Sequence, residues 1–361
     1  MLMVDEFFGH LGEIHTVPGR QISAADVADA DLLLVRSVTS VDRSLLDGST
    51  VSFVGSATIG TDHVDRDYLA EQGVRFAHAP GCNANAVVQY VLSVVSNLQP
   101  DWLNRTFGIV GCGNVGGRLY NSLQSLGVSC LVYDPFLSEA DNPHLVDFKT
   151  LLGADIICLH TPLTTDGPHP TKHLFDAETL ASLSEDTLLI NGGRGPVIDN
   201  HALYKLLESG SRLSVALDVW EPEPAINCRL LEHILIATPH IAGYSREGKI
   251  RGTKMLAEAF NNWHRDIGFD QALSETVIDQ GAITEVSGDN LSELILAAYN
   301  VAEDDRRMRR AIEAALAGEI GSVAEAFDLL RKEYPQRHEF ANYRADVPDA
   351  LKSQAQLLGF S

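Results

Sequence analysis

Three residues of this 361-residue chain are of types that could move a proton and hold an anion: Arg194, Glu223 and His240. Each stands just after a short apolar run of strand character. Residues 187–190 lead into Asn191-Gly192-Gly193-Arg194-Gly195. Residues 213–217 lead into Asp218-Val219-Trp220-Glu221-Pro222-Glu223-Pro224, and 234–237 into Thr238-Pro239-His240-Ile241-Ala242-Gly243-Tyr244. Oxidising an alcohol needs a base for the hydroxyl proton, and an imidazole, titrating near ~6.5, suits that task. A carboxylate beside the ring favours the imidazolium that forms. A guanidinium offers a fork of donors for a substrate carboxylate and the oxygen next to it. Singly, each residue has a plainer explanation: a capping histidine, a carbonyl clamp, a solvated glutamate. Their recurrence at three strand ends of one sheet favours catalysis. Asp218, also at a strand end, could accept from a nicotinamide carboxamide or cap its own turn. His63, His160 and His173 read as structural.

A second pattern says what these groups would act with. An apolar run over 106–110 ends at Gly111, and Gly111, Gly113 and Gly116 make G-x-G-x-x-G. Val115, Leu119, Leu123 and Leu126 follow at helical spacing, a second strand is expected over 128–133, and Asp134 ends it. This is the strand–turn–helix–strand–acid order of a dinucleotide site. The open N–H groups and dipole of the helix start hold phosphates. Asp134 would accept from both ribose hydroxyls and repel a 2′-phosphate. Pro135 and Phe136 follow it, not arginine, so the cofactor expected is NAD rather than NADP.

These pieces need a scaffold. Strands are expected over 30–35, 51–54 and 74–77 in an α/β unit, then a helix over 84–98. Alternating strands and helices continue to about 239, which makes a mostly parallel, doubly wound sheet whose loops share one edge. A helix over 246–263 can return to the first domain. From about 266 strand signals thin out, helices are expected over 291–317 and 322–333, and the charge run 303–310 reads as a solvated helix face. The expected domains are 1–83, completed by about 240–265; 84–239, binding NAD; and 266–361, a smaller α+β domain.

Composition narrows the function classes. Lys and Arg total 27 against 49 Asp and Glu, a formal charge of −22. Such a surface repels nucleic acid and anionic membrane, so neither is an expected partner, and an anionic substrate needs a local cluster of cations. The five cysteines show no metal spacing, so no metal is expected and a reducing, cytoplasmic compartment is. Asp5 and Glu6 near the start argue against a signal peptide.

Arg194 in N-x-x-R-G, Glu223 in D-V-W-x-x-E-P and His240 in P-H-I-A-G resemble the catalytic set of the D-2-hydroxyacid dehydrogenase family. Within it, stretches 35–39, 60–65, 79–84, 160–163, 243–253 and 331–337 are similar to one branch. The resemblance implies a flavodoxin-like substrate domain, a Rossmann NAD domain and a C-terminal domain that forms a homodimer. It implies NAD-dependent oxidation of the 2-hydroxyl of 4-phospho-D-erythronate, a small phosphorylated 2-hydroxy acid, in vitamin B6 biosynthesis. Asn114, Val115, Asp134, Thr161, Gly192, Gly193, Asp218 and Gly243 fall on NAD positions, and Ser37, Thr58 and Tyr244 on substrate positions. The substrate's phosphate needs a second cationic anchor, for which Arg36, Lys249, Arg251 or a basic group of the last domain is available. Members of the family open on a strand resembling I-L-V-D-E-N, and Met1 to Arg20 resembles the segment that comes after that strand. The alternatives are a dehydrogenase of phosphoglycerate or glycerate, and an NAD-sensing corepressor-like module without turnover.

Overall fold

A computed structural model describes residues 1–266 and 283–361. Two compact units are present: Met1–Asn83 with the segment beginning at Ser245, and Ala84–Tyr244 with 283–361. The boundary expected at 266 falls against 267–282, outside the described residues.

In the first unit β1 (Leu32–Val35), β2 (Phe53–Ser56) and β3 (Arg75–His78) form a parallel sheet in that order. Alternate side chains serve opposite faces, as the pleat requires. Leu33, Val35 and Val54 pack with Leu45, Leu46, Tyr68 and Leu69. Leu32, Leu34 and Phe53 meet Ile250, Leu256 and Phe260 of helix Arg246–Asp266, with Phe7 and Phe8 from helix Val4–Phe8. Covering on both faces is what a parallel sheet of apolar strands demands. No strand precedes β1 among the described residues.

The second unit holds a six-stranded parallel sheet: β4 (Phe107–Val110), β5 (Cys130–Tyr133), β6 (Ile156–Leu159), β7 (Leu188–Asn191), β8 (Ser214–Leu217) and β9 (Ile236–Ala237). Their spatial order is β5-β4-β6-β7-β8-β9. The winding direction reverses between β4 and β6, and such a reversal opens a ligand crevice at the carboxyl ends. Every residue of β4, β6 and β7 is buried. Helix Ala84–Leu98 occupies the expected span and lies in the core.

Residues 283–361 add β10 (Thr284–Ser287) and β11 (Tyr343–Asp346), a parallel pair, and helices Leu291–Ala298, Val301–Leu316 and Val323–Lys332. The single helix expected over 291–317 is broken at Tyr299-Asn300, because the Asn300 side chain accepts from Ala302 N at 3.1 Å and caps a new start. The charge run is likewise not a solvated face throughout. Asp304 and Asp305 are buried. Asp305 accepts from Ala237 N at 2.8 Å, satisfying a donor of edge strand β9 that has no further strand beside it. Arg309 pairs with Asp305 and donates to Leu231 O and Ile234 O, which removes the cost of burying that carboxylate alone. No described helix is long and apolar enough to cross a membrane.

Candidate functional site

The sheet order ranks the expected site residues along one edge. Asp134 follows β5, the glycine loop follows β4, and Thr161 follows β6. Arg194 follows β7, Asp218 and Glu223 follow β8, and His240 follows β9. The glycine loop and Asp134 thus lie towards one end of the edge, and Arg194, Glu223 and His240 towards the other.

At the first end Gly111 has φ +84°, and a Cβ on Gly116 would come within 1.9 Å of Gly111 O. Only glycine permits that close turn. Above Gly113 nothing lies within 4 Å of where a Cβ would stand, so a phosphate can approach the backbone. Val115 precedes helix Gly116–Ser125 and, with Asn114, belongs to its open N-terminus. Asp134 Oδ2 accepts from Cys112 N at 2.9 Å and Oδ1 from Phe136 N at 3.1 Å. Those bonds tie the acid to the glycine loop and leave lone pairs for a ribose. Thr161 Oγ1 is buried with no hydrogen-bond partner, beside Gly111. An unmatched polar atom on this rim, an open phosphate cradle and an anchored acid fit a dinucleotide.

At the other end the loops brace one another. A Cβ on Gly195 would overlap Trp220 O at 1.9 Å, so the loop bearing Arg194 sits directly on the loop bearing Glu223. Arg194 Nη1 donates to Gly193 O at 2.9 Å, and Gly193 N donates to Asn191 Oδ1. Trp220, fully buried, donates its indole N–H to Thr238 O at 3.0 Å, joining the β8 and β9 loops. Asp218 is buried and holds the His240 loop: Oδ1 accepts from Thr238 Oγ1 and Ile241 N, both at 2.7 Å, and Oδ2 accepts from Ala242 N at 2.9 Å. This organising role accounts for most of its acceptor capacity. Gly243 and Tyr244 close the same loop, and Gly192 opens the β7 loop against Val87.

These braces bring His240 and Glu223 together, Nδ1 to Oε2, at 2.8 Å. Glu223 Oε1 accepts from Trp220 N at 2.8 Å. Burial alone would push the Glu223 carboxyl up. The His240 imidazolium, its hydrogen bond and the Trp220 N–H outweigh burial and hold the group below the ordinary carboxylate range, with Arg331 acting the same way. A carboxylate acceptor fixes the proton of a neutral ring on Nδ1 and leaves the Nε2 lone pair available. Nε2 has no partner among the described residues. His240 has φ 58°, a left-handed backbone uncommon outside glycine, whose strain of roughly 1–3 kcal/mol is held by these contacts.

Ser37 and Thr58 belong to the first unit. Ser37 is exposed after β1, and Thr58 donates to Gly60 O at 2.8 Å and bonds Ser56 Oγ at 2.7 Å. Arg251 donates to Cys82 O. Sequence reasoning missed the Trp220 N–H and Arg337, which donates to Ala242 O in the His240 loop. Backbone donors leave no signal in a sequence. Arg337 belongs to a stretch that resembles the family but carries no expected role there.

Comparison with known proteins gives the family and the fold. Residues 95–242 match the family described as D-isomer specific 2-hydroxyacid dehydrogenase, NAD binding domain, and 275–359 match a domain of unknown function. Proteins named erythronate-4-phosphate dehydrogenase from Teredinibacter turnerae and Pseudomonas aeruginosa are each 46% identical. The first match covers 99% of this chain and 96% of that protein, the second 98% and 94%. A D-lactate dehydrogenase from Aquifex aeolicus, solved with NAD and lactic acid, has the same fold at TM-score 0.62 and 22% identity, covering 73% of this chain and 92% of its own. The NAD-bound 3-phosphoglycerate dehydrogenase of Entamoeba histolytica gives TM-score 0.62 and 22% identity over 76% and 93%. The chain belongs to the D-isomer specific 2-hydroxyacid dehydrogenase family, in the branch whose members are named erythronate-4-phosphate dehydrogenase.

Proposed function

We propose that this protein oxidises the 2-hydroxyl of 4-phospho-D-erythronate with NAD, giving (R)-3-hydroxy-2-oxo-4-phosphooxybutanoate, a step of pyridoxal 5′-phosphate biosynthesis. The observation that carries the reading is the His240–Glu223 pair, one ring nitrogen held at 2.8 Å and the other open. Names of relatives at 46% identity over nearly the whole chain support the substrate. NAD, when bound along the glycine-loop edge, supplies the hydride acceptor. His240 Nε2 takes the hydroxyl proton, and Glu223, ionised and anchored by Trp220 N, stabilises the imidazolium. Arg194 holds the substrate carboxylate and polarises the adjacent oxygen. Gly111, Gly113, Asn114, Val115, Gly116, Asp134, Thr161, Gly192, Gly193 and Gly243 serve the cofactor, and Ser37, Thr58 and Tyr244 the substrate.

The protein works in the cytoplasm as a homodimer through 283–361. That segment carries exposed Ile283, Leu316, Ile320, Leu329 and Leu357, apolar side chains suited to burial by a second copy. Sedimentation should give twice the chain mass, and a monomer at working concentration would sink this part.

The deciding experiment is a panel of phosphorylated and unphosphorylated four-carbon and three-carbon 2-hydroxy acids with NAD, followed by nicotinamide absorbance. Turnover should be greatest with 4-phospho-D-erythronate. Preference for phosphoglycerate or glycerate would reassign the substrate, and NADH binding without turnover of any acid would leave a sensing module.

A further inference from the structure

Arg337 has an unusual position for a guanidinium. It is 6% exposed and makes no ion pair with a described carboxylate. Its Nη2 donates to two carbonyls on different elements, Ala86 O of helix Ala84–Leu98 at 3.2 Å and Ala242 O of the His240 loop. The guanidinium carbon lies 4.2 Å from the centre of the Tyr299 ring, while Nε and Nη1 have no partner. Burying a cation on such terms is costly, and a neutral apolar side chain would fill the space more cheaply. The carbonyl it grips follows two N–H groups, of Ile241 and Ala242, that Asp218 grips from the other side. A carboxylate on the N–H groups and a guanidinium on the carbonyl thus hold one short stretch, two residues from a histidine in a left-handed conformation.

The rest of the segment supports that grip. Tyr299 and Tyr334 both donate to Asp304 Oδ2, at 2.9 and 2.6 Å, which fixes the ring under Arg337. The Tyr334 ring meets Tyr244, at the end of the His240 loop, edge to face with centroids 5.8 Å apart.

We infer that Arg337 is a positioning residue for the reaction: clamping Ala242 O, it holds the 240–244 loop so that His240 Nε2 is presented to the substrate hydroxyl. The C-terminal segment therefore takes part in presenting the base of its own chain. The inference rests on the proposed oxidation, but its first test does not. In Arg337→Met, amide hydrogen exchange over 240–244 should quicken relative to the sheet, with NADH affinity within about twofold. In the turnover assay kcat should fall about 10- to 100-fold while KM changes far less, since small displacements of a reacting group carry penalties of that order. Arg337→Lys keeps the charge but lacks the planar fork, so it should fall between; it also serves if the methionine variant does not fold. Unchanged exchange over 240–244, or a kcat that tracks only the folded fraction, overturns the inference. An inactive wild type with quickened exchange in the variant would sink the oxidation and leave the clamp.

Discussion

Two histidines draw their glutamate partners from one loop, the loop after β8, and only one of the two rings keeps a nitrogen open. His240 has φ 58° and donates its backbone N–H to Asp218 O at 2.7 Å; His173 has φ 53° and donates to Pro196 O at 2.7 Å. Glu223 serves the first ring and Glu221, two positions earlier, the second. The difference lies in the ring nitrogens. His173 Nε2 meets both Glu221 oxygens at 2.9 Å, and its Nδ1 faces Asp199 at 3.8 Å. His240 commits only Nδ1 and keeps Nε2 open. A buttressed imidazole with a spare lone pair can take a proton; one enclosed by two carboxylates is part of the frame. Glu223 is fixed by a backbone N–H at 2.8 Å, whereas Asn200 N reaches Glu221 only at 3.5 Å and Asp199 caps helix Asn200–Glu208.

Asparagine tolerates the left-handed backbone, so His240→Asn and His173→Asn remove each ring without forcing its chain to move. The first should lower kcat roughly 10²- to 10⁴-fold, the range expected of general acid–base catalysis, with NADH still binding. The second should leave kcat within about threefold. Equal losses from both would erase the distinction. A finer cut exchanges charge alone. Glu223→Gln keeps a hydrogen-bonding group but loses the charge facing the imidazolium, and kcat should drop roughly tenfold to a hundredfold, since one pKa unit of lost stabilisation is about tenfold. Glu221→Gln should affect only stability, by roughly 0.5–1 kcal/mol in denaturant titrations, as for a partly exposed pair.

That both pairs were not equally legible in the sequence has a physical reason. His240, Glu223 and Arg194 could be chosen because apolar runs predicted strand ends, and the ends of adjacent parallel strands must share one edge. The glycines and Asp134 were legible for the same reason, as local geometry with fixed spacing. Which ring nitrogen each carboxylate would take was not, because it depends on long-range packing, such as Trp220 reaching Thr238. The burial of Asp304 and Asp305 was hidden too. Their partners, Ala237 N, Tyr299 and Tyr334, are backbone or distant groups, so the run 303–310 looked solvated when only part of it is.

A third histidine extends the series, and its effect is confined to acid pH. His160 follows β6 with both ring nitrogens buried and neither hydrogen-bonded. Burial lowers its pKa to about 4. An imidazole in the unfolded chain titrates near ~6.5. Above that value both states are neutral and the group does nothing. As pH falls from there towards 4, the unfolded chain takes a proton that the folded chain refuses, so stability is lost by up to about 1.4 kcal/mol per pH unit. Below the folded value both are charged and the loss stops growing. His160→Leu removes this term. Between pH 7 and 4.5 the wild type should therefore lose roughly 2–3 kcal/mol more stability than the variant in urea titrations. Equal losses would mean that His160 finds a proton acceptor in the folded protein. It would then stand with the paired rings of His240 and His173 rather than as the member of the series that no carboxylate serves.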